Sequence, residues 1–190
     1  MHRIAVLLAV LLAALSAALL PFAAHAAGKF TLESAEVKPN VKIADKQVYK
    51  GFGCEGGNVS PSLAWSNAPP GTKSFAVTMY DPDAPTGSGW WHWIVFNLPA
   101  DTTSLPAGAG NPGGKLPKGA VQSLTDFGVP GYGGPCPPKG DRPHRYVFTV
   151  HALEVEKLDV DEKAMPAMVG FTINSNRIDK ATLMSTYSRK

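Results

Sequence analysis

The chain of 190 residues has few cysteines and little charge. Only two cysteines are present, and charged residues make up 17% of the sequence. No run of basic residues stands out, and no segment repeats along the chain. A nucleic acid or an anionic membrane surface is therefore not expected as a partner, since neither has electrostatic support.

The first 26 residues have the pattern of a secretory signal peptide. His2 and Arg3 precede a long apolar run that ends in Ala24-His25-Ala26, an A-x-A cleavage site. The run is long enough for a short membrane span, but its small-residue exit and its lack of flanking lysine favour cleavage after Ala26. We therefore expect a periplasmic or secreted protein without stable membrane insertion, formed by one domain over residues 27–190.

Both cysteines, Cys54 and Cys136, lie in the part of the chain that is expected to be mature. An even pair in an exported protein most simply forms one disulfide. A catalytic or metal-binding pair of thiols is the alternative, and it suits an oxidising compartment less well. Loss of Arg3 with the signal peptide leaves a net charge of +2, so the mature surface is nearly neutral.

The composition is typical of an all-β domain. Seventeen prolines and nineteen glycines separate short runs that are rich in β-branched and aromatic residues. Alternation predicts a strand over residues 74–80, and its continuation places Asp81 on the same face as Phe75. A second alternating run, 144–155, places His144 and Tyr146 on one face and His151 on the other.

A central strand is predicted over residues 91–97, because this run is apolar on both faces. On simple alternation, His92 shares its face with Ile94 and Phe96. Residues 99–143 contain most of the glycine and proline, which predicts long irregular loops.

The C-terminal part of the chain has one helical pattern. Apolar spacing over residues 161–178 and acidic residues at its start predict a helix, although Pro166 and Gly170 interrupt it. Residues 182–188 predict a last short strand. The expected fold is mainly β, with long Gly/Pro loops and one or two short helices.

Polar side chains occur on the apolar faces at three predicted strand ends: Asp81, His92, and His144 with Tyr146. Each alone is most simply a turn cap or a hydrogen-bonded core residue. Together they are costly to bury unless they satisfy one another or a ligand. A pocket would do so, with the histidines and tyrosine donating and the backbone N–H groups of GYGGPC forming an anion-holding concavity. Such a pocket suits a phosphate monoester or a zwitterion such as phosphoethanolamine.

Prolines stiffen the DPDAP segment that follows the first of these strands. We expect Asp81 to face the pocket and Asp83 to bond loop backbone. Trp90, Trp91 and Trp93 are expected to wall the site, with core packing the simpler explanation for Trp93 and an open alternative for Trp91. Because the chain reverses direction here, the Ala84-Pro85 peptide bond is predicted to be cis.

The motifs DPDAP, WHWIVFN and GGPCPPKGDRPHRYVFTV, in this order, resemble those of the phosphatidylethanolamine-binding protein family, also known as Raf kinase inhibitor-like proteins. The similarity runs from about Phe30 to the C-terminus, and FGCEGGNVSPSLAW resembles the bacterial branch. It implies a β-sandwich of Greek-key-like antiparallel sheets with a small anion-binding pocket at one end.

The resemblance also implies which residues form the pocket. Cys136 stands where many eukaryotic members have glycine, which leaves a backbone N–H available but alters the pocket wall. The extra C-terminal helix of eukaryotic members has no counterpart here, so kinase regulation is not transferred. The pocket residues implied by the resemblance are Asp81, Pro85, Trp90, His92, Cys136, His144 and Tyr146.

The leading hypothesis is an exported, non-enzymatic binding protein for a small anionic or phosphorylated ligand, with no cofactor and no bound metal. One alternative is a hydrolase that uses Asp81 with Asp83, or His92 and His144 with a metal. No serine or cysteine occurs in a recognisable nucleophile motif, which argues against it. The other alternative is an exported module that binds or inhibits another protein.

Overall fold

The structure is a computed structural model that describes residues 28–190, so the predicted signal peptide lies outside the described residues. No helix in this part of the chain is long and apolar enough to cross a membrane. The described residues form ten strands and one helix. The strands are β1 Thr31–Glu33, β2 Lys50–Gly51, β3 Cys54–Glu55, β4 Leu63–Ser66, β5 Ser74–Asp81, β6 Trp90–Pro99, β7 Ser104–Leu105, β8 Val121–Gln122, β9 His144–Leu153 and β10 Arg177–Tyr187, and the helix is α1 Pro166–Ser175.

Two antiparallel sheets form the body of the protein, and the prediction of a mainly β fold is confirmed. The larger sheet has the order β10-β9-β5-β6-β8 and the smaller one β1-β4-β7, while β2 and β3 form a separate hairpin. One core cluster joins the facing sides of the two sheets, as in a sandwich. Its members include Leu32, Trp65, Phe75, Phe148 and Leu183.

The helix α1 covers the other face of the larger sheet. Val169 and Ile173 pack there against Ile94 and Phe96 of β6. The helix begins at Pro166, five residues later than predicted. Proline is suited to the first helical position because its N–H is not needed there, whereas inside a helix it would remove a hydrogen bond.

The last strand is longer than the sequence indicated. It spans Arg177–Tyr187, whereas only residues 182–188 were predicted. Its first half carries Arg177, Asp179 and Lys180, which interrupt the alternation of apolar and polar residues from which a strand is predicted. Charged side chains are common on edge strands, and β10 is an edge of the larger sheet.

A β-bulge in β6 changes the direction of His92. Met79 pairs with Trp93 and Tyr80 pairs with Trp91, so His92 has no partner on β5. An extra residue of this kind shifts the alternation by one position. His92 consequently lies on the side of the sheet that carries Asp81 and not on the helix side with Ile94, and the predicted face was wrong.

The two cysteines form the predicted disulfide. Cys54 lies on β3 and Cys136 in the loop before β9, with 6.0 Å between their Cα atoms. The bond joins the β2–β3 hairpin to this loop, which the sequence places 82 residues further on. The prediction of a disulfide is confirmed.

Candidate functional site

All seven pocket residues named from the sequence line one cavity of about 160 Å³. The cavity lies where β5 ends and where β6 and β9 begin, since these antiparallel neighbours bring Asp81, Trp90 and His144 to the same edge of the sheet. The sequence did not indicate six further lining residues. They are Phe52, Ala84, Thr86, Phe127, Pro137 and Pro138.

Asp81 is buried, with 2% of its surface exposed, and its two carboxylate oxygens have different partners. Oδ1 accepts the backbone N–H of Asp83 at 2.8 Å, and Oδ2 lies 2.8 Å from Nδ1 of His144. The first contact closes an Asx-turn, which reverses the chain. The described peptide bonds are all trans, so the predicted cis bond at Pro85 was wrong; the side chain of Asp81 supplies the reversal instead.

His144 lies between two carboxylates. Its Nδ1 contacts Asp81, and its Nε2 lies 3.2 Å from Oδ2 of Asp141, a residue whose side chain is 40% exposed. An ionised carboxylate only accepts hydrogen bonds. In each contact the ring nitrogen is the donor and the carboxylate oxygen the acceptor, so the two carboxylates fix the orientation of the His144 ring.

His92 is buried beside the cavity and is held as a neutral ring. Its Nδ1 lies 2.7 Å from the carbonyl oxygen of Gly133, which accepts a hydrogen bond and so requires the proton on Nδ1. Burial lowers the pKa of His92 to about 4, and the ring is neutral at pH 7. Its Nε2 then carries a lone pair and acts as an acceptor. The rings of Phe127 and Tyr146 pack edge-on against it.

Two buried donors of the cavity lack partners. Nε1 of Trp90 makes no hydrogen bond within the described residues, and the hydroxyl of Tyr146 lies close to the Asp81 carboxylate without forming a hydrogen bond of normal geometry. Burial, and next the negative charge of Asp81, raise the pKa of Tyr146 well above its usual range, so the hydroxyl keeps its proton. Buried donors without acceptors are unusual, and here they line a cavity.

The glycine-rich loop contributes less than expected to this cavity. The N–H groups of Tyr132, Gly133 and Gly134 donate to the protein itself, so they do not form the predicted anion-holding concavity. In residues 28–190, the N–H of Cys136 is found in no hydrogen bond, and Cys136 lines the cavity. The acceptors of the three internal bonds are Gly110 O, His92 O and Asn58 Oδ1, at 2.9, 2.9 and 2.8 Å.

Asp83 faces away from the cavity. Its carboxylate accepts the backbone N–H of Arg145 at 2.9 Å and the Nε of the same residue at 2.8 Å. The Arg145 guanidinium lowers the pKa of Asp83 to about 2. Asp83 therefore bonds the start of β9, not loop backbone as expected, and is not placed to act with Asp81 as an acid–base pair.

Only one of the three neighbouring tryptophans walls the cavity. Trp90 does so, whereas Trp93 is fully buried in the core and donates to Oε1 of Gln122 at 2.6 Å. Trp91 packs on the helix side, where a Cβ at Gly170 would lie 3.1 Å from its ring. Because of the bulge at His92, Trp91 and Trp93 point to opposite faces of the sheet.

An aromatic group forms the outer wall. Phe127 stacks on Tyr49, with 4.5 Å between ring centroids, and on Phe52, which is 67% exposed. The position of Phe52 at the cavity could have been predicted from the sequence. Phe52 is two residues from Cys54, and the predicted disulfide brings that segment to the pocket residue Cys136. Phe127 carried no comparable signal in the sequence.

No group of three or more His, Cys, Asp or Glu side chains in the described residues is arranged to hold a metal ion. Among the polar groups of the residues that line the cavity, Asp81 and His92 offer acceptors, and Nε1 of Trp90 and the hydroxyl of Tyr146 are buried donors without a hydrogen bond of normal geometry.

A mainly β protein with a small polar cavity at the end of its larger sheet is the class that this geometry defines. The model of the phosphatidylethanolamine-binding protein family matches residues 33–188, and the chain belongs to that family. The resemblance on which the pocket residues were assigned is thereby confirmed.

Relatives in Escherichia coli K12 are similar over most of their length. The chain is 55% identical over 174 residues to the UPF0098 protein YbcL, covering 91% of this chain and 94% of YbcL. It is 52% identical over 157 residues to the UPF0098 protein YbhB, covering 83% of this chain and 99% of YbhB.

Two solved structures have a similar fold. The crystal structure of E. coli YbcL, described as a new member of the mammalian PEBP family, has a TM-score of 0.83 and 56% identity, with 85% of this chain and 99% of that chain covered. A homologue from Chlamydia trachomatis has a TM-score of 0.70 and 32% identity, covering 85% of this chain and 98% of its own.

Proposed function

We propose that this protein binds a small anion of the phosphate type in the cavity at the end of the larger sheet. The observation that supports this most directly is the pair of buried donors, on Trp90 and Tyr146, that line the cavity without acceptors. A buried donor left unpaired costs about 1–3 kcal/mol. The oxygens of a bound anion would accept from both donors and from the N–H of Cys136.

The size of the cavity limits the ligand. About 160 Å³ suits a phosphate or a phosphoethanolamine-like head group and leaves no room for acyl chains. Carriage of an intact lipid is therefore not part of the proposal. Among the alternatives, the hydrolase with Asp81 and Asp83 as a pair is disfavoured because Asp83 is turned toward Arg145.

Removal of either donor is expected to weaken phosphate binding. Tyr146→Phe and Trp90→Phe each delete one donor and retain an aromatic ring. A hydrogen bond to a charged group contributes about 1.5–3 kcal/mol, so each variant should bind phosphate about tenfold to a hundredfold more weakly in titration calorimetry.

The chain offers a matched control for each change. Nε1 of Trp65 is also buried and unpaired, and the hydroxyl of Tyr132 is buried and donates to the carbonyl oxygen of Gln47. Neither residue lines the cavity. Trp65→Phe and Tyr132→Phe should leave the affinity unchanged. Equal losses in the control and cavity variants, or no loss in any, would contradict the proposal.

We also propose that the protein is exported, to the periplasm or beyond the cell. The pattern of residues 1–26 supports export, and so does the disulfide, because such bonds persist in oxidising compartments. Intact mass of the protein purified from its own compartment should correspond to a chain that begins at Ala27 and lacks two thiol hydrogens. Recovery of the full-length chain from the cytoplasm, with free thiols, would refute export.

A further inference from the structure

The cavity contains acceptors as well as donors. Asp81 accepts one hydrogen bond at Oδ1 and is paired with His144 at Oδ2, so each oxygen retains a lone pair. His92 adds the lone pair of Nε2, because its other nitrogen donates to Gly133. A ligand made of unprotonated oxygens would satisfy the donors but would bring no proton to the remaining lone pairs of Asp81 or to Nε2 of His92.

We propose that the cavity selects a phosphate-type anion that carries its own proton, such as inorganic phosphate or a phosphate monoester, and rejects sulfate and phosphodiesters. This selectivity rests on the proposed anion-binding function. The P–O–H group of the bound ligand would donate to Asp81 or to His92, while the other oxygens accept from Trp90 and Tyr146.

The charges around the cavity favour this choice. The groups that face it are Asp81 from β5, His92 from β6, and His144 and Tyr146 from β9, with Asp141 behind His144. Nδ1 of His144 is directed at Asp81, the ring of His92 is neutral, and no lysine or arginine is among the lining residues, so the cavity offers no guanidinium or ammonium group for a dianion. An unprotonated oxygen placed against Asp81 would meet like charge in a site of low dielectric.

The same reasoning separates phosphate monoesters from phosphodiesters. The phosphate of an intact phospholipid is a diester and has no P–O–H group, whereas a head group released from a lipid is a monoester. The cavity should therefore prefer the released head group. An ammonium group is the other donor that would reach Asp81, so a diester with an ammonium is needed as a separate probe.

Four anions without an ammonium test the selectivity on the unaltered protein. Inorganic phosphate and methyl phosphate carry a proton at pH 6, where the second ionisation of a monoester is half complete, and sulfate and dimethyl phosphate do not. Calorimetry should show that the first two bind about tenfold to a hundredfold more tightly than the last two, since one added hydrogen bond to a charged group contributes about that factor.

A fifth probe, glycerophosphoethanolamine, is a diester with an ammonium, and it tests whether the ammonium can replace the P–O–H group as the donor to Asp81. If it matches methyl phosphate, the ammonium is the donor that Asp81 requires, and the inference fails. If phosphate and sulfate bind equally, the inference also fails but the anion-binding function stands. If none of the probes binds, both are overturned.

A single substitution should change the preference. Asp81→Asn keeps the shape of the side chain but replaces an acceptor with an amide that also donates, so the ratio of phosphate to sulfate affinity should fall at least about tenfold. Asp101→Asn makes the same change at an exposed residue outside the cavity and should leave the ratio unchanged. A ratio that is equal in both variants and in the unaltered protein would count against the inference.

Discussion

Reduction of the Cys54–Cys136 disulfide is expected to lower the free energy of unfolding by about 4–5 kcal/mol. The bond spans a sequence separation of 82 residues, and in the chain-entropy model a loop of this length restricts the unfolded chain by about that amount. Urea unfolding at neutral pH, with and without a thiol reductant, measures the difference. A variant with Cys54→Ala and Cys136→Ala should be as unstable as the reduced protein and should show no response to reductant.

The same bond supports the cavity, so a loss of affinity should accompany the loss of stability. Cys136 and Phe52 both line the cavity, and the disulfide fixes the distance between their segments. Arg189 is a second tie, since its guanidinium donates to the carbonyl oxygens of Pro137 and Phe52. Phosphate affinity should therefore fall in the reduced protein under conditions in which it remains folded. Unfolding curves and phosphate affinities that do not change on reduction would show that the bond has neither role.

Much of the fold followed from the alternation of apolar residues. The strand over residues 74–80 is present as Ser74–Asp81, and the strand that begins at His144 starts at that residue. Because side chains alternate along a strand, Asp81 and Tyr146 were placed on the correct faces. Antiparallel pairing then brings the strand ends together, so a common pocket was a reasonable expectation from sequence.

The direction of His92 did not follow from the alternation, and the reason is the bulge. A bulge depends on how β6 pairs with β5, and pairing register is a tertiary property that one strand does not encode. The glycine-rich loop is a similar case. Its composition suggested free N–H groups, but the partners that use three of them, such as Asn58, are distant in sequence.

Acidification should destabilise the protein, because two histidines are buried as neutral rings. Burial lowers the pKa of His92 to about 4 and that of His151 to about 3, and the charges of Arg177 and Lys180 lower the latter further. Nε2 of His151 lies 3.0 Å from the hydroxyl of Thr78, on the helix side of the sheet. Neither ring has a carboxylate partner that would favour its protonated form in a direct hydrogen bond.

The sign of the effect follows from proton binding. In the unfolded chain both histidines titrate near pH 6.5, whereas in the folded protein they remain neutral to about pH 4 or below. Between these values the unfolded chain binds more protons, so stability rises with pH and is lost as pH falls below 6.5. The stability contributed by Asp83, whose pKa is lowered from 3.8 to about 2, is fully present above about pH 3.8 and is lost only below that pH, outside this window.

The expected loss is roughly 3–4 kcal/mol between pH 7 and pH 5, shared about equally by the two histidines. Urea unfolding across this range measures it. His151→Gln replaces the ring with a side chain that does not titrate and can still reach Thr78, and it should remove about half of the pH dependence. His92→Gln should remove the other half. The two effects should add, because the residues lie on opposite faces of the sheet and share no partner. If His151→Gln retains the full pH dependence, the acid sensitivity arises from other groups.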